Sequence, residues 1–309
     1  MNKYIFAVLF VPMLAAAQET PLATDADRAK PSPLVASAAS TIAPAAKAVL
    51  ANGLGLSLIE SHRLPLVAIT LVIPQAGSQD DPSGKEGLAS FVASMAKEGV
   101  PGLPTAAALS DAIDDIGASL SVSAGSDATT VSVLVLKENL GRAMELMGKI
   151  VREPSSLSGS PETAAALERM RQRSLSGLEM EKGDAEALGG KRLAAALYGD
   201  TPRGRSATEG SINAITPADI AARHRASMVP NGAVLSVAGD VTLDELKALA
   251  GTNFGTWAPA PAPPSVPTAS MSVAANVSVI SGLVIELVDL PGEQAEMMLG
   301  VITAPRLAS

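Results

Sequence analysis

Cysteine is absent from the 309 residues, which excludes disulfides, thiolate metal clusters and a cysteine nucleophile. Histidine is nearly absent as well. Only His62 and His224 occur, so a three-histidine metal centre is excluded and a two-histidine centre would have to use both. Aromatic residues make up 2% of a chain that is 47% hydrophobic. The core must therefore come from Ala, Val, Leu, Ile and Met, side chains that suit helices packed on a sheet. A domain of roughly 200 residues buries enough apolar surface to stand without cross-links. A basic excess is also missing. The formal charge is −8, and no Lys/Arg stripe is present to neutralise phosphates, which argues against nucleic-acid binding.

Long apolar runs are missing except at the start. Lys3 provides a positive charge, Tyr4–Leu14 an apolar stretch and Ala15-Ala16-Ala17 a small-residue site before Gln18. This is the pattern of an export signal cleaved near Ala17. The run is shorter than the roughly 20 apolar residues of a spanning helix, so the expectation is a periplasmic protein with no membrane span after cleavage. Residues 1–17 are read as the signal. Residues 18–47, rich in Ala, Ser, Thr and Pro without a clean period, are read as a flexible leader.

Beyond residue 47 the chain gains turn residues and a regular period. Leu54–Glu60 and Leu66–Ile73 are β-rich runs expected to pair with each other. A helix is expected over Pro104–Ile116. After it, a strand over Ala118–Ala124 turns at Gly125-Ser126-Asp127 into Thr129–Leu136. Asn139–Arg152 is amphipathic. Ser160-Pro161 and Thr216-Pro217 each start a helix with proline at the tolerated first position. Further helices are expected to about Lys182, over Ala185–Tyr198 and over Thr242–Ala250, with a buried strand at Ala233–Ala238. Residues 256–275 form a Pro/Ala-rich linker, stiff and extended. Beyond it, Leu283–Leu287 and Ala295–Ile302 read as two strands opening a second domain over 276–309. That domain is expected to be truncated.

The chemistry concentrates, by its omission, in Gly87–Lys97. Leu88, Phe91, Val92 and Met95 form an apolar stripe, and Ser90, Ala93, Ser94 and Lys97 share the other face. That second face has the spacing of an H-x-x-E-H zinc helix, in which two imidazoles one turn apart hold the metal and a carboxylate serves as general base. The three places hold serine, alanine and serine.

The surrounding motifs give that spacing its context. Asn52-Gly53-Leu54, His62-Arg63-Leu64-Pro65 and Gly77-Ser78-Gln79-Asp80-Asp81-Pro82-Ser83-Gly84-Lys85-Glu86-Gly87-Leu88-Ala89 come in that order. Tyr198-Gly199-Asp200-Thr201-Pro202-Arg203-Gly204 and Val237-Ala238-Gly239-Asp240 come later. The series resembles the insulinase/pitrilysin family of zinc peptidases over about Val49 to Arg306. The resemblance implies an α/β (α+β) metalloenzyme-like half-barrel, its antiparallel-rich sheet packed by helices, over residues 48–255, followed by an incomplete second copy. It carries the first histidine, the glutamate and the second histidine of the family onto Ser90, Ala93 and Ser94. The third ligand, a glutamate, falls near Ser176 and Gly177, with Glu179 and Glu181 close by. One carboxylate without imidazoles does not make a catalytic zinc site, which needs three protein ligands. No catalytic residue and no zinc are therefore expected.

The leading reading is a non-catalytic member that pairs, as a heterodimer, with an active zinc-bearing subunit and helps enclose unfolded peptides. Three alternatives remain: a metallopeptidase with a relocated site, a decayed gene fragment, and a serine hydrolase using Ser94-Met95-Ala96-Lys97 as an S-x-x-K motif. The last lacks the K-T-G that should come after it. Other polar residues read as scaffold: His62 as a structural or surface group, His224 as a helix-end cation, Asp80-Asp81 and Asp114-Asp115 as solvated turn and cap residues. Arg203 and Arg205 are candidates for a peptide carboxylate, with a surface role preferred.

Overall fold

A computed structural model describes residues 44–260, 285–288 and 296–302. Six strands form one open sheet: β1 (Ala46–Val49), β2 (Gly55–Glu60), β3 (Leu66–Pro74), β4 (Ser119–Ala124), β5 (Ala128–Leu136) and β6 (Val234–Gly239), in the order β1-β2-β6-β3-β5-β4. Every pair is antiparallel except β2 with β6. The β4–β5 hairpin forms at the expected turn. The expected β2–β3 pairing does not: β6, more than 150 positions later in the chain, sits between them. β1 starts inside the stretch read as leader, and Lys47 pairs with Ser57.

Eight α-helices occur among the described residues: α1 (Leu88–Met95), α2 (Ala106–Asp114), α3 (Leu140–Arg152), α4 (Pro161–Glu181), α5 (Ala185–Tyr198), α6 (Glu209–Ala214), α7 (Pro217–Ser227) and α8 (Leu243–Phe254). Their starts are written in the sequence. Thr105, Ser160, Asp184, Thr208, Thr216 and Thr242 each accept a backbone N–H of the first turn, and the last three complete capping boxes. The helix α6 was not foreseen because it is too short to show a period.

Alternation along the strands sends Leu56, Leu58, Val67, Ile69, Leu71, Val133, Val135, Leu235 and Val237 to one face of the sheet. There they meet Phe91, Met95, Met144, Met147, Ile150, Leu246 and Phe254 in a single core. Each such side chain contributes about 1.5–3 kcal/mol when fully buried. The core does not stop at residue 255. Trp257 is buried, its Nε1–H donates to the Met228 carbonyl at 2.9 Å, and Asn52 Nδ2 donates to the Phe254 carbonyl at 2.7 Å and the Trp257 carbonyl at 3.1 Å. The first residues of the expected linker therefore belong to the folded body.

Residues 285–288 and 296–302 are not in strands, contrary to expectation. They lie along α5, with Glu286 paired to Arg192 at 3.3 Å, Met298 against Gly189 and Gly190, and Gly300 against Leu193 and Leu197. The export signal, residues 18–43 of the leader and most of the linker lie outside the described residues.

Candidate functional site

The helix α1 is held at its N-terminus by a loop running from Gln75 to Gly87. Gly77 sits so close to the β4–β5 turn that a Cβ there would come within 2.1 Å of the Ser126 carbonyl oxygen. Ser78 and Gln79 donate their N–H groups to the Gly125 and Ser126 carbonyls at 2.9 and 3.0 Å. The loop then delivers Asp81 beneath the helix. Its Oδ2 accepts from the Gly87 N–H at 3.0 Å and its Oδ1 from the Ala89 N–H at 2.9 Å, which satisfies two of the unpaired donors of the first turn. Gly87 takes φ +103°, a conformation that only glycine adopts without strain.

Asp81 was expected as a solvated residue. It is a cap, as foreseen, but it is buried at 5% exposure. Burial pushes its carboxyl up to about 6 from an ordinary 3.8, against the two backbone N–H groups and Arg223, which pull it down. The Arg223 Nε lies 3.9 Å from Oδ1, and its Nη2 donates to the Gly77 carbonyl at 2.8 Å. Arg223 thus ties α7 to the loop that positions α1. Lys85 pairs with Asp219 of the same helix and strengthens the tie.

On α1 itself, Leu88, Phe91, Val92 and Met95 are buried, as the period requires, but so are Ala89, Ala93 and Ala96. The expected polar face shrinks to exposed Ser90 and Lys97 with a half-buried Ser94. The helix packs on α7, α4 and β4 at once, and small residues allow that approach. Ser176 and Gly177 lie near the C-terminal end of α4, which neighbours α1. Ser176 lines a cleft of about 490 Å³ together with Leu175, Leu178 and Glu179 of α4, Leu188 and Lys191 of α5, and Thr208. That cleft has no lining residue from α1, so the two groups of positions are on neighbouring helices but not in one cavity. Glu179 and Glu181 are paired with Lys182 and Lys191.

Residues 57–208 match the insulinase family (peptidase family M16), and residues 214–308 match the peptidase M16 inactive domain. The chain belongs to the insulinase family. The two matched stretches do not correspond to separate folded halves, because β6 of the second completes the sheet between β2 and β3 of the first. An uncharacterized zinc protease of Mycobacterium leprae is 30% identical over 206 residues, 65% of this chain and 44% of that protein. The solved peptidase M16 inactive domain from Pseudomonas fluorescens superposes with a TM-score of 0.63 at 26% identity, covering 71% of this chain and 52% of its own. The periplasmic protease PqqL from Escherichia coli gives 0.60 at 18% identity, covering 70% and 24%, a likeness of fold. The chain thus spans about half the length of the first two of these proteins.

The insulinase-family zinc can be tested against the side chains. Two neutral hydroxyls and a methyl group occupy the three helix positions, and a hydroxyl is a poor zinc donor beside imidazole or carboxylate. Among the described residues no three His, Cys, Asp or Glu side chains are grouped to hold a metal ion. The residues present do not fit zinc. There is nevertheless room on α4, where a Cβ on Gly177 would meet nothing within 4 Å.

The remaining candidates resolve into scaffold. Lys97 is exposed past the end of α1, and among the described residues no side-chain hydrogen bond links it to Ser94, so the S-x-x-K pair is not assembled. Arg203 pairs with Asp127 at 3.0 Å and Arg205 with Glu86 at 3.4 Å, which joins the α5–α6 connection to the hairpin and the α1 loop. His62 is exposed, its Nδ1 2.5 Å from Asp240 and its Nε2 2.7 Å from Glu60, and these two contacts raise its pKa above 6.5.

His224 is a correction. Read as a helix-end cation, it is buried and donates Nε2–H to the Val151 carbonyl at 3.0 Å, and burial drives it down to about 4. It is neutral at pH 7. The spacing Ile220, His224, Ser227 is the signal that marks it as inward-facing. Asp81 had no comparable signal, because it caps a helix that starts seven residues later through a loop. Among the described residues, no helix is long and apolar enough to cross a membrane.

Proposed function

We propose that this insulinase-family chain is a non-catalytic protein of the periplasm that partners an active zinc-bearing subunit and helps enclose unfolded peptides. One observation carries the reading. The helix α1 is fully built and anchored by Asp81 and Arg223, yet it presents Ser90, Ala93 and Ser94 where the resemblance puts the metal ligands and the base. Ala93 has neither lone pair nor proton to offer a water molecule, and no general base stands in its place. Export is supported by the signal-like first 17 residues and by the periplasmic location stated for PqqL. Pairing is supported by resemblance, since the family uses catalytically silent halves as chamber walls.

Metal analysis after dialysis tests the reading. Wild-type protein is expected to retain no stoichiometric zinc, and one tightly held zinc per chain would overturn it. The combined variant Ser90→His, Ala93→Glu, Ser94→His and Gly177→Glu should bind zinc measurably, because the open space at Gly177 admits the new side chain. Peptidase activity need not accompany it, since the orientation of the ligands depends on groups behind them. A fourfold variant that takes up no zinc would show that these positions on the neighbouring helices α1 and α4, which share no cavity, do not come close enough to hold one metal. Co-expression with an active relative should give a co-eluting complex with raised peptide cleavage. Separate elution would reject the partner role.

A further inference from the structure

The dipeptide Asn-Gly occurs twice in the chain, as Asn52-Gly53 and Asn231-Gly232. Both asparagines hold the same stretch, residues 254–260, which leads out of α8. Asn52 Nδ2 donates to the Phe254 carbonyl at 2.7 Å and to the Trp257 carbonyl at 3.1 Å, so both of its hydrogens are used. Its Oδ1 accepts the Leu54 N–H at 3.3 Å. Asn231 Oδ1 accepts the Ala260 N–H at 2.8 Å. Between these two anchors Trp257 is buried, with its Nε1–H on the Met228 carbonyl. The two pairs differ in their surroundings. Asn231 is exposed, and the Gly232 N–H has no acceptor among the described residues. Asn52 is half-buried, and the Gly53 N–H donates to the Leu50 carbonyl at 2.9 Å.

We propose that Asn52 is a deamidation site gated by residues 254–260, and that its modification releases those residues and Trp257 from the core. Asn-Gly is the dipeptide in which a succinimide forms most readily, because glycine has no side chain to hinder its amide nitrogen and gives the backbone the freedom the ring needs. The Gly53 nitrogen, on losing its proton, bonds to Asn52 Cγ. The Cγ–Nδ2 bond breaks, and ammonia leaves with that proton. Water then opens the ring at one carbonyl or the other, giving aspartate or isoaspartate with no change of oxidation state. In the closed molecule this reaction is blocked at Asn52. The leaving nitrogen is held by two carbonyls and the attacking nitrogen by a third, so the step waits for the stretch to open. Among the described residues, neither constraint exists at Asn231. The products differ in consequence as well. An aspartate at position 231 still accepts the Ala260 N–H. An aspartate at position 52 turns a carboxylate, which only accepts, towards the Phe254 and Trp257 carbonyls, so two hydrogen bonds become two repulsive contacts. The stretch then cannot close again, which makes the release irreversible.

Ageing of the full chain in mildly alkaline buffer is the test, with peptide mass spectrometry reading the gain of one mass unit at each asparagine. Asn231 should be modified at close to its rate in the urea-unfolded chain. Asn52 should be modified at least about 100-fold more slowly than in the unfolded chain. Trp257→Phe removes the bond to Met228 without touching either asparagine, and should speed Asn52 about fivefold while leaving Asn231 unchanged. Trp257 is the only tryptophan, so its fluorescence reports the release. Asn52→Asp should shift the emission to the red and raise amide exchange in residues 254–260 at least about tenfold. Asn231→Asp should leave both as in the wild type. If Asn52→Asp does not fold, Asn52→Ala, which removes the same two donors without adding charge, takes its place. Modification of Asn52 at its unfolded rate in the native chain would overturn the gating, as would a Trp257→Phe variant with no effect on that rate. A buried emission retained in the Asn52 variant would overturn the release.

Discussion

Asp81 and His224 are buried ionisable groups, held by backbone partners, whose contributions to stability respond to pH in opposite directions. The Asp81 carboxyl is pushed up to about 6 by burial, so the folded state binds its proton more tightly than the unfolded chain does. Its contribution makes stability rise as pH falls from about 6 towards 4. His224 is driven down to about 4, so its contribution is complete above about 6.5 and is lost as pH falls through that range. Each shift is worth on the order of 3 kcal/mol, and in the wild type the two largely offset each other. Asp81→Asn should expose the histidine, with stability dropping between pH 7 and pH 4.5. His224→Gln, which retains a donor for the Val151 carbonyl, should expose the aspartate, with stability rising over the same interval. Urea unfolding across that pH range measures both slopes, and an unchanged slope in either variant would show that its group is not the titrating one. The two residues also mark a limit of sequence reading. Charged neighbours on either side of His224 suggest solvent while its spacing from Ile220 and Ser227 suggests burial, and the packing of α7 against Val151 of α3 decides for burial.

The elements divide by how local their determinants are. Helix starts were legible because a cap is a contact over three residues: Ser160 and Thr216 were placed correctly from sequence and each accepts the expected N–H. Thr216→Ala should cost about 1 kcal/mol, read by denaturation. The anchoring of α1 is not local. It depends on Gly77 docking against a hairpin some 50 residues further on, at a distance that leaves no room for a methyl group. Gly77→Ala should therefore cost on the order of 3 kcal/mol, well beyond a lost cap, and should loosen α1 selectively. Faster amide hydrogen exchange in Leu88–Met95 than in α3 would confirm this. Equal exchange in both helices would mean that Asp81 and Arg223 hold α1 without the loop.

At the scale of the molecule, the described core extends as far as Ala260, whose backbone N–H donates to Asn231 Oδ1 at 2.8 Å. A chain ending at Ala260 keeps Trp257 under Met228 and should melt within about 2 °C of the full chain. Ending at Gly255 removes the indole and its hydrogen bond, a loss comparable to Trp→Ala at about 3–5 kcal/mol. That should lower the melting temperature by roughly 10 °C or more. A large loss already at Ala260 would show that the contacts of residues 285–302 with α5 are integral to the fold.

Periodicity, caps and turn residues act over a few positions, so the sequence alone determined every helix but α6, the β4–β5 hairpin and the α/β class. Side-chain identity alone also determined that Ser90, Ala93 and Ser94 lack imidazole and carboxylate, since ligand chemistry is a property of the residue. Tertiary structure decided what depends on distant segments meeting: β6 entering between β2 and β3, Asp81 buried under α1, and Trp257 closing the core. It also decided the hydroxyl row across the face of the sheet away from the core. Alternation puts a serine or threonine on that face of every strand but β1, and only the registers between strands bring Ser57, Ser236, Thr70, Ser132 and Ser121 into one line.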